Sequence, residues 1–142
     1  MKKEKKPLIT CSLIRDSDVI FAEFSNNLQV DLAKAKEIVD TRLALTGNKE
    51  HYIIFDLSNV RHVSSDAKEF MQRPDEGLKN ILGAAFIASN PVSALIANIF
   101  IKTPKDFQSK FFSGKEEAFE WIMELRQKSS SNTIIIRWNK LR

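Results

Sequence analysis

Short apolar runs and helix-spaced apolar stripes follow one another along this chain. Apolar runs at residues 7–14 and 19–24 flank the polar turn at residues 15–18. This pattern predicts two strands joined as an antiparallel hairpin. Further on, residues of one stripe recur at steps of three and four, which predicts a helix: Leu32, Ala35, Val39 and Leu43. Asp31 stands at the expected cap of that helix and Gly47 at its end.

The remaining segments continue the alternation of strands and helices. The pattern predicts, in order, a strand at 51–57, a short helix that begins after Ser65 and stops before Pro74, a strand at 81–88, a helix from Pro91, a short strand at 111–112 and a helix from Lys115. A polar linker at 128–132 then precedes a segment of strand character at 133–138. Strands that alternate with helices favour an α/β fold with a mixed, largely parallel sheet covered by helices.

One window resembles a membrane span, because residues 81–101 contain no charged side chain. Ser89-Asn90-Pro91 interrupts this window in the middle, so the prediction is a strand, a turn and a helix that do not span a membrane. The helix after Pro91 is apolar almost all the way round, so we expect it to be buried on more than one side. Its own monomer, a second subunit or a lipophilic ligand could cover the second side.

The net charge of +4 is concentrated at the two ends. Residues 1–6 carry +3 and residues 126–142 carry +5, which leaves −4 on the body. We interpret the ends as solvated tails and expect no nucleic-acid partner, because no aromatic ladder or binding motif accompanies the charge. The single cysteine, Cys11, favours a reducing compartment, so we expect a cytoplasmic location. Polar residues soon follow the basic start, and no secretion signal is predicted.

The strongest candidate site is a pair of serines at a predicted helix start. The strand at 51–57 contains Asp56 near its end, and Ser64, Ser65 and Asp66 follow a few residues later. Backbone N–H groups are free at a helix start, so these side chains suit recognition or a charge switch. Capping is the simpler role, and Ser64, Ser65 or Asp66 could each supply it. Asp56 could bind a ligand, or it could stabilise the next turn.

Other reactive side chains do not assemble into a recognisable centre. His51 and His62 lack partners at metal-ligand spacing, so no metal is predicted. A pair of His62 with a nearby serine lacks an orienting group. The four glycines form no phosphate loop, and no cofactor is predicted. We therefore expect no enzyme.

The ordered set of segments resembles STAS domains of the SpoIIAA-like, anti-sigma-factor-antagonist type, and above all small uncharacterised bacterial STAS-like proteins of Bacteroidetes type. The resemblance is carried by residues 56–60, by the strand 81–88 that runs into Ser89-Asn90-Pro91, and by residues 112–122. It implies a mixed β-sheet that starts with an antiparallel hairpin and is covered by about four helices. We expect a basic tail at 1–7, the STAS-like domain at 8–127, and a linker with a C-terminal basic strand at 128–142.

The resemblance also implies a phosphate acceptor. Antagonists of this family carry an Asp-Ser-Ser/Thr-Gly pattern, which aligns with Val63 to Asp66 and makes Ser64 the acceptor. Two departures argue against phosphorylation here. Val63 replaces the acidic residue, and Asp66 replaces the glycine and would repel a phosphate.

Two functions remain open. The favoured one is a non-enzymatic regulatory or protein-interaction module that presents Ser64 and Ser65 to a protein partner. The alternative is a carrier of a lipid or small apolar molecule, with a pocket beside the helix from Pro91, as the architectural likeness of STAS folds to CRAL-TRIO lipid-transfer domains suggests. Either role is compatible with a homodimer formed through that helix or through residues 134–136.

Overall fold

Seven strands and four helices make up the part of the chain that the computed structural model describes, residues 8–14 and 18–140. In chain order they are β1 (Ile9–Ile14), β2 (Val19–Phe24), β3 (Leu28–Val30), α1 (Leu32–Thr46), β4 (His51–Asp56), β5 (Val60–Val63), α2 (Ser65–Met71), β6 (Ile81–Ile87), α3 (Pro91–Lys102), β7 (Gln108–Phe112) and α4 (Lys115–Lys140). The predicted tail at 1–7 and most of the predicted hairpin turn lie outside the described residues.

Five strands form one mixed sheet in the order β1-β2-β4-β6-β7. β1 pairs antiparallel with β2, as the hairpin pattern predicted, and the other neighbours pair in parallel. Each parallel step needs a crossover, and α1 and α3 are helices of these connections. The predicted α/β fold with a mixed sheet and four covering helices is therefore confirmed.

The sheet is buried on both faces, so its central strands are apolar on both sides. Ile53 and Phe55 of β4 join a core with α1, α2 and α3 on one face. Tyr52 and Ile54 of the same strand join a second core, against Ala118 and Ile122 of α4, on the other face. Three helices thus share one face, and α4 covers the opposite face.

Helix α1 has the predicted caps, but its buried side differs from the predicted stripe. The Asp31 side chain accepts a hydrogen bond from the Lys34 amide at 2.8 Å, and Gly47 ends the helix with a left-handed φ of 61°. Such a φ suits glycine, which has no Cβ to clash. The buried side includes Ile38 and Arg42, whereas Leu43 is only half-buried.

Arg42 joins three parts of the chain from inside the core, where it is 1% exposed. Its guanidinium donates to the carbonyls of Lys79 at 2.6 Å, Gly77 at 3.1 Å and Glu76 at 3.2 Å. It also lies 3.0 Å from His51 Nε2, at the start of β4. Because arginine can only donate, Nε2 accepts, and the proton on Nδ1 is donated to the Lys49 carbonyl at 2.9 Å. The segment after α2 is thereby fixed to α1 and β4.

Gly77 is required by the close approach that this arrangement imposes. A Cβ at Gly77 would lie 2.1 Å from the carbonyl oxygen of Met71. The Gly77 amide donates to the Phe70 carbonyl at 3.2 Å, so the segment folds back directly onto the end of α2. A larger residue at this position would push the segment away from both α2 and Arg42.

The prediction of a linker and a strand at the C-terminus is wrong, because α4 runs without a break from Lys115 to Lys140. An established helix extends by one hydrogen bond per added residue, and serine, asparagine and isoleucine cost less than about 1 kcal/mol each in a helix. A strand would instead need a free sheet edge to pair with. A homodimer that pairs residues 134–136 of two copies as strands therefore has no basis in this structure.

Helix α3 begins at Pro91 as predicted. Among the described residues, none of the helices combines the length and the apolar character that a membrane span requires. Ser93, Ile96 and Ala97 are buried against the core. On the outer side Val92 is 39% exposed and Leu95 is 69% exposed. The described chain therefore covers one side of α3, and burial on a second side is not observed.

The Arg42–His51 pair should make the protein sensitive to mild acid. Burial, reinforced by the Arg42 charge and opposed by the Lys49 hydrogen bond, lowers the pKa of His51 from 6.5 to about 4. The unfolded chain therefore takes up this proton first as the pH falls. The contribution of neutral His51 to the stability of the fold is complete above pH 6.5. It is lost between pH 6.5 and about 4, by up to about 3 kcal/mol in the free energy of unfolding.

Urea unfolding of the wild type, H51Q and H62Q at pH 7.5, 5.5 and 4.5 tests this expectation. H51Q should be less stable at pH 7.5, and its deficit should shrink as the pH falls. H62Q removes the other histidine, which is exposed on β5, and should retain the wild-type pH dependence. A deficit of H51Q that stays constant over this range would contradict the assignment.

Candidate functional site

The candidate site is built by two short strands that the sequence pattern did not predict. β3 and β5 pair in parallel, with Val30 opposite Val63. The Ser64 amide donates to the Val30 carbonyl at 2.9 Å, and the Leu28 amide donates to the Asn59 carbonyl at 2.9 Å. Because α1 follows β3 and α2 follows β5, the first turns of the two helices lie side by side.

Ser64 caps α2 and is bonded to Asp66. Its side chain accepts from the Ala67 amide at 3.3 Å and donates to the Asp66 carboxylate at 2.5 Å. The Asp66 carboxylate accepts a second hydrogen bond from the same Ala67 amide, at 2.9 Å. The hydrogen bond from Ser64, reinforced by this amide, lowers the pKa of Asp66. Of the three capping residues left open by the sequence, the structure selects Ser64 and gives Asp66 a supporting role.

The candidate side chains differ in how far a visiting molecule could reach them. Ser65 and Asp66 are exposed, and Ser64 is half-buried. Asp31, the cap of α1, is also exposed and belongs to the adjoining turn. Sequence reasoning assigned Asp31 only a capping role, because nothing in the sequence brings residues 31 and 64 together. We call the surface formed by Asp31, Ser64, Ser65 and Asp66 the paired-cap face.

Asp56 does not belong to the paired-cap face. Its carboxylate accepts from the Ser58 amide at 3.0 Å, so it stabilises the turn after β4, the simpler of its two predicted roles. The four residues of β5 separate this turn from Ser64, a rise of about 13 Å. Asp56 instead lines an open cleft of about 310 Å³ with Glu23, its register partner on β2.

A second polar cluster lies where α3 begins. Ser89 Oγ donates to Ser58 Oγ at 2.9 Å, and Asn90 Nδ2 donates to the Ser58 carbonyl at 2.9 Å. Asn90 also forms a reciprocal capping box with Ser93. The side chains of this cluster form hydrogen bonds with one another and with the backbone of the cluster. These bonds tie the turn after β4 to α3 and explain why the residues here are polar.

The reactive side chains outside these clusters do not form a metal or nucleophile site among the residues that the structure describes. No group of three or more histidine, cysteine or carboxylate side chains there could hold a metal ion. Burial raises the pKa of the Cys11 thiol to about 11, opposed by the nearby Arg42 charge. The thiol is therefore protonated at neutral pH and a poor nucleophile.

Comparisons with known proteins agree with the architecture. Residues 13–126 match a family described as a domain of unknown function (DUF7793). The fold matches a crystal structure of an uncharacterised protein from the DUF3478 family with a SpoIIAA-like fold, from Shewanella loihica PV-4. The two chains are 16% identical, the match covers 86% of this chain and 99% of that one, and the TM-score is 0.59. This likeness establishes a shared fold. No curated protein matched the chain.

Replacement of Ser64 by alanine should destabilise α2 without abolishing the fold. The variant loses the cap and the hydrogen bond to Asp66, but Asp66 still accepts from the Ala67 amide. We therefore expect S64A to cost about 0.5–1 kcal/mol in the free energy of unfolding, at the lower end for a lost cap. S65A is the matched control and should change it by less than about 0.5 kcal/mol, as at other exposed positions. Equal losses in urea titrations of the two variants would rule out Ser64 as the cap.

Proposed function

This chain belongs to the DUF7793 family, and we propose that it is a non-enzymatic protein-interaction module that binds a protein partner through the paired-cap face. The observation that carries the proposal is that two helix starts adjoin on one surface, with Ser65, Asp66 and Asp31 exposed to a visiting molecule. The fold is SpoIIAA-like, and the docking role is our inference from this surface.

The paired-cap face is held in a fixed shape, which favours recognition. The β3–β5 ladder holds the two turns together, and the caps at Asp31 and Ser64 fix the first residues of each helix. A preorganised surface loses little conformational entropy when a partner binds. Loops that carry function on a rigid scaffold commonly have this arrangement.

The charges of the paired-cap face indicate what a partner would bring. Asp31 and Asp66 are both exposed carboxylates. The ammonium group of Lys34, one turn into α1, donates to the Gln29 carbonyl at 3.0 Å. We therefore expect the partner to present arginine, lysine or backbone N–H donors, which pair well with carboxylates.

The proposed role does not require phosphorylation. A phosphate on Ser64 would bring a charge of about −1.5 to −2 against Asp66 and would remove the present hydrogen bond. Ser65 is exposed, and none of its described hydrogen bonds involves the hydroxyl, so this group remains available to a partner. We therefore assign Ser64 to the architecture of the face and Ser65 to contact with the partner.

The surroundings of the serines also favour a role without turnover. Ser64 Oγ donates to a carboxylate that is itself bonded to the helix, and His62 forms no described hydrogen bond with either serine. A serine nucleophile needs an adjacent base and an orienting group. The hydrogen bonds of Ser64 make it the cap of α2 and do not activate its hydroxyl as a nucleophile.

Affinity capture from an extract of the native host tests the docking proposal. We use a cytoplasmic extract, because the cytoplasm is where we expect this protein to be located. We expect the wild type to retain a partner and D66N to retain at least tenfold less of it, because the amide removes the charge but keeps the shape of the turn. E117Q is the matched control, since Glu117 is an exposed acid on α4, away from the paired-cap face. Quantitative mass spectrometry of the retained proteins gives the ratio.

Two outcomes of that capture would contradict the proposal. One is a partner retained equally by the wild type, D66N and E117Q, which would place the contact elsewhere. The other is the absence of any specifically retained protein in repeated captures at low salt, where charge contacts are strongest.

A homodimer is a separate proposal, and it rests on the outer side of α3. Leu95 and Val92 are three positions apart and form an exposed apolar strip on that helix. Leu95 is the most exposed of the large apolar side chains described. Two copies that pack these strips together would remove them from water, as isologous dimers do.

Light scattering across a range of protein concentrations tests the homodimer. The wild type should shift towards twice the monomer mass as concentration rises, and L95S should require at least tenfold more protein for the same shift. L82S is the control, because Leu82 is also exposed but lies on β6. A wild type that stays monomeric at millimolar concentration would disprove self-association.

A further inference from the structure

We propose that the core beneath α3 contains a binding site for a small, neutral amphiphile, with a short apolar body and one uncharged polar group. A cavity of about 50 Å³ lies between the sheet and helices α1 and α3. Its lining is apolar throughout, except for Lys105 at the rim. This proposal does not depend on the paired-cap face.

A row of aromatic rings crosses this region and provides a firm wall. Phe24, Phe55 and Phe86 come from the three adjacent strands β2, β4 and β6, and Phe100 of α3 extends the row. Neighbouring ring centroids lie 5.6–6.4 Å apart, and the planes are within 13° of parallel. Rings held this way cannot easily collapse into the space beside them. A cavity with such a wall stays open and apolar, which suits an apolar guest.

The cavity adjoins an open cleft of about 440 Å³ at the surface. The cavity and the cleft share four lining residues, Leu78, Ile81, Lys105 and Phe107. A molecule with its apolar body inside and its polar group in the cleft would therefore keep that group hydrated. This geometry favours an amphiphile over a wholly apolar guest.

The charges at the rim favour an uncharged polar group. The ammonium of Lys105 donates to the carbonyls of Thr103 at 2.8 Å, Ile101 at 2.9 Å and Phe100 at 3.1 Å. These three hydrogen bonds use all three of its donors, so it offers none to a carboxylate. Glu50 and Asp106 also line the cleft and would repel an anion, whereas the positive charge of Lys105, which lines both the cleft and the cavity, would repel a cation.

The size of the cavity limits the length of the guest. Pockets for drug-sized molecules measure about 300–1,000 Å³, and a 150 Å³ cavity holds one benzene. A cavity of 50 Å³ therefore takes a body of only a few carbons and does not enclose a long acyl chain. The inference thus narrows the carrier of a lipid or small apolar molecule, considered from the sequence, to short molecules that keep a polar group in the cleft.

Titration with the series from ethanol to 1-hexanol, followed by methyl NMR, tests the site. Val30, Val63 and Met71 line the cavity and supply reporter methyl groups. Affinity should rise about fourfold with each added methylene while the cavity has room, and then level off. Butanoate should bind at least tenfold more weakly than 1-butanol.

Variants that fill the cavity provide the decisive comparison. V60I and A84V each place extra carbon into the cavity from its wall, and both should weaken alcohol binding at least tenfold. V92I is the matched control, because it makes the same change as V60I at an exposed position of α3, and it should bind as the wild type does. If V60I proves unstable, A84V provides the same comparison.

Three outcomes would overturn the proposal. They are folded filling variants that bind alcohols as tightly as the wild type, an affinity that keeps rising without a plateau, and shifts spread evenly over exposed methyl groups. Each of these would indicate non-specific association with the surface.

Discussion

The parallel pairing of β3 with β5 is the constraint on which the rest of this structure depends. Only a few residues from each strand take part, but they fix where α1 and α2 begin and so create the paired-cap face. Val30 and Val63, the last paired residues, also line the cavity in the core below. One short ladder therefore shapes the surface proposed for docking and one wall of the proposed ligand site.

Arg42 of α1 provides the second constraint, which acts on the segment that follows the C-terminal end of α2. It bonds the carbonyls of residues 76, 77 and 79 and holds the segment after α2 against α1 and β4. A guanidinium buried among carbonyls and a neutral imidazole can stay charged because both of its terminal nitrogens donate to acceptors, each of them twice. Burial lowers the pKa of Arg42 to about 10, partly offset by the nearby Cys11 thiol, so the charge persists at neutral pH. The fold thus has a polar connection in its buried interior.

Much of the candidate site could be predicted from the sequence, and the rest depended on contacts between distant residues. The pattern around residue 64 identified a helix start with exposed hydroxyls, and a helix does start at Ser65. It could not choose among Ser64, Ser65 and Asp66 as the cap, because all three are good caps and the choice depends on backbone geometry. It also linked Asp56 with the serines, which the structure separates by the length of β5. The role of Asp31 at the site was missed, because only the β3–β5 ladder brings it near Ser64.

The sequence by itself determined the order and type of the longer elements, the antiparallel start of the sheet, and the caps at Asp31 and Gly47. These features follow from local periodicity and backbone preference, which act over a few residues. The tertiary structure decided the features that need partners far along the chain: the short strands β3 and β5, the burial of Arg42, and the aromatic row beside the cavity. It also gave residues 133–138 a helical course despite their strand propensity. Strand propensity reflects packing against a sheet, and a segment without a sheet partner follows the helix that precedes it.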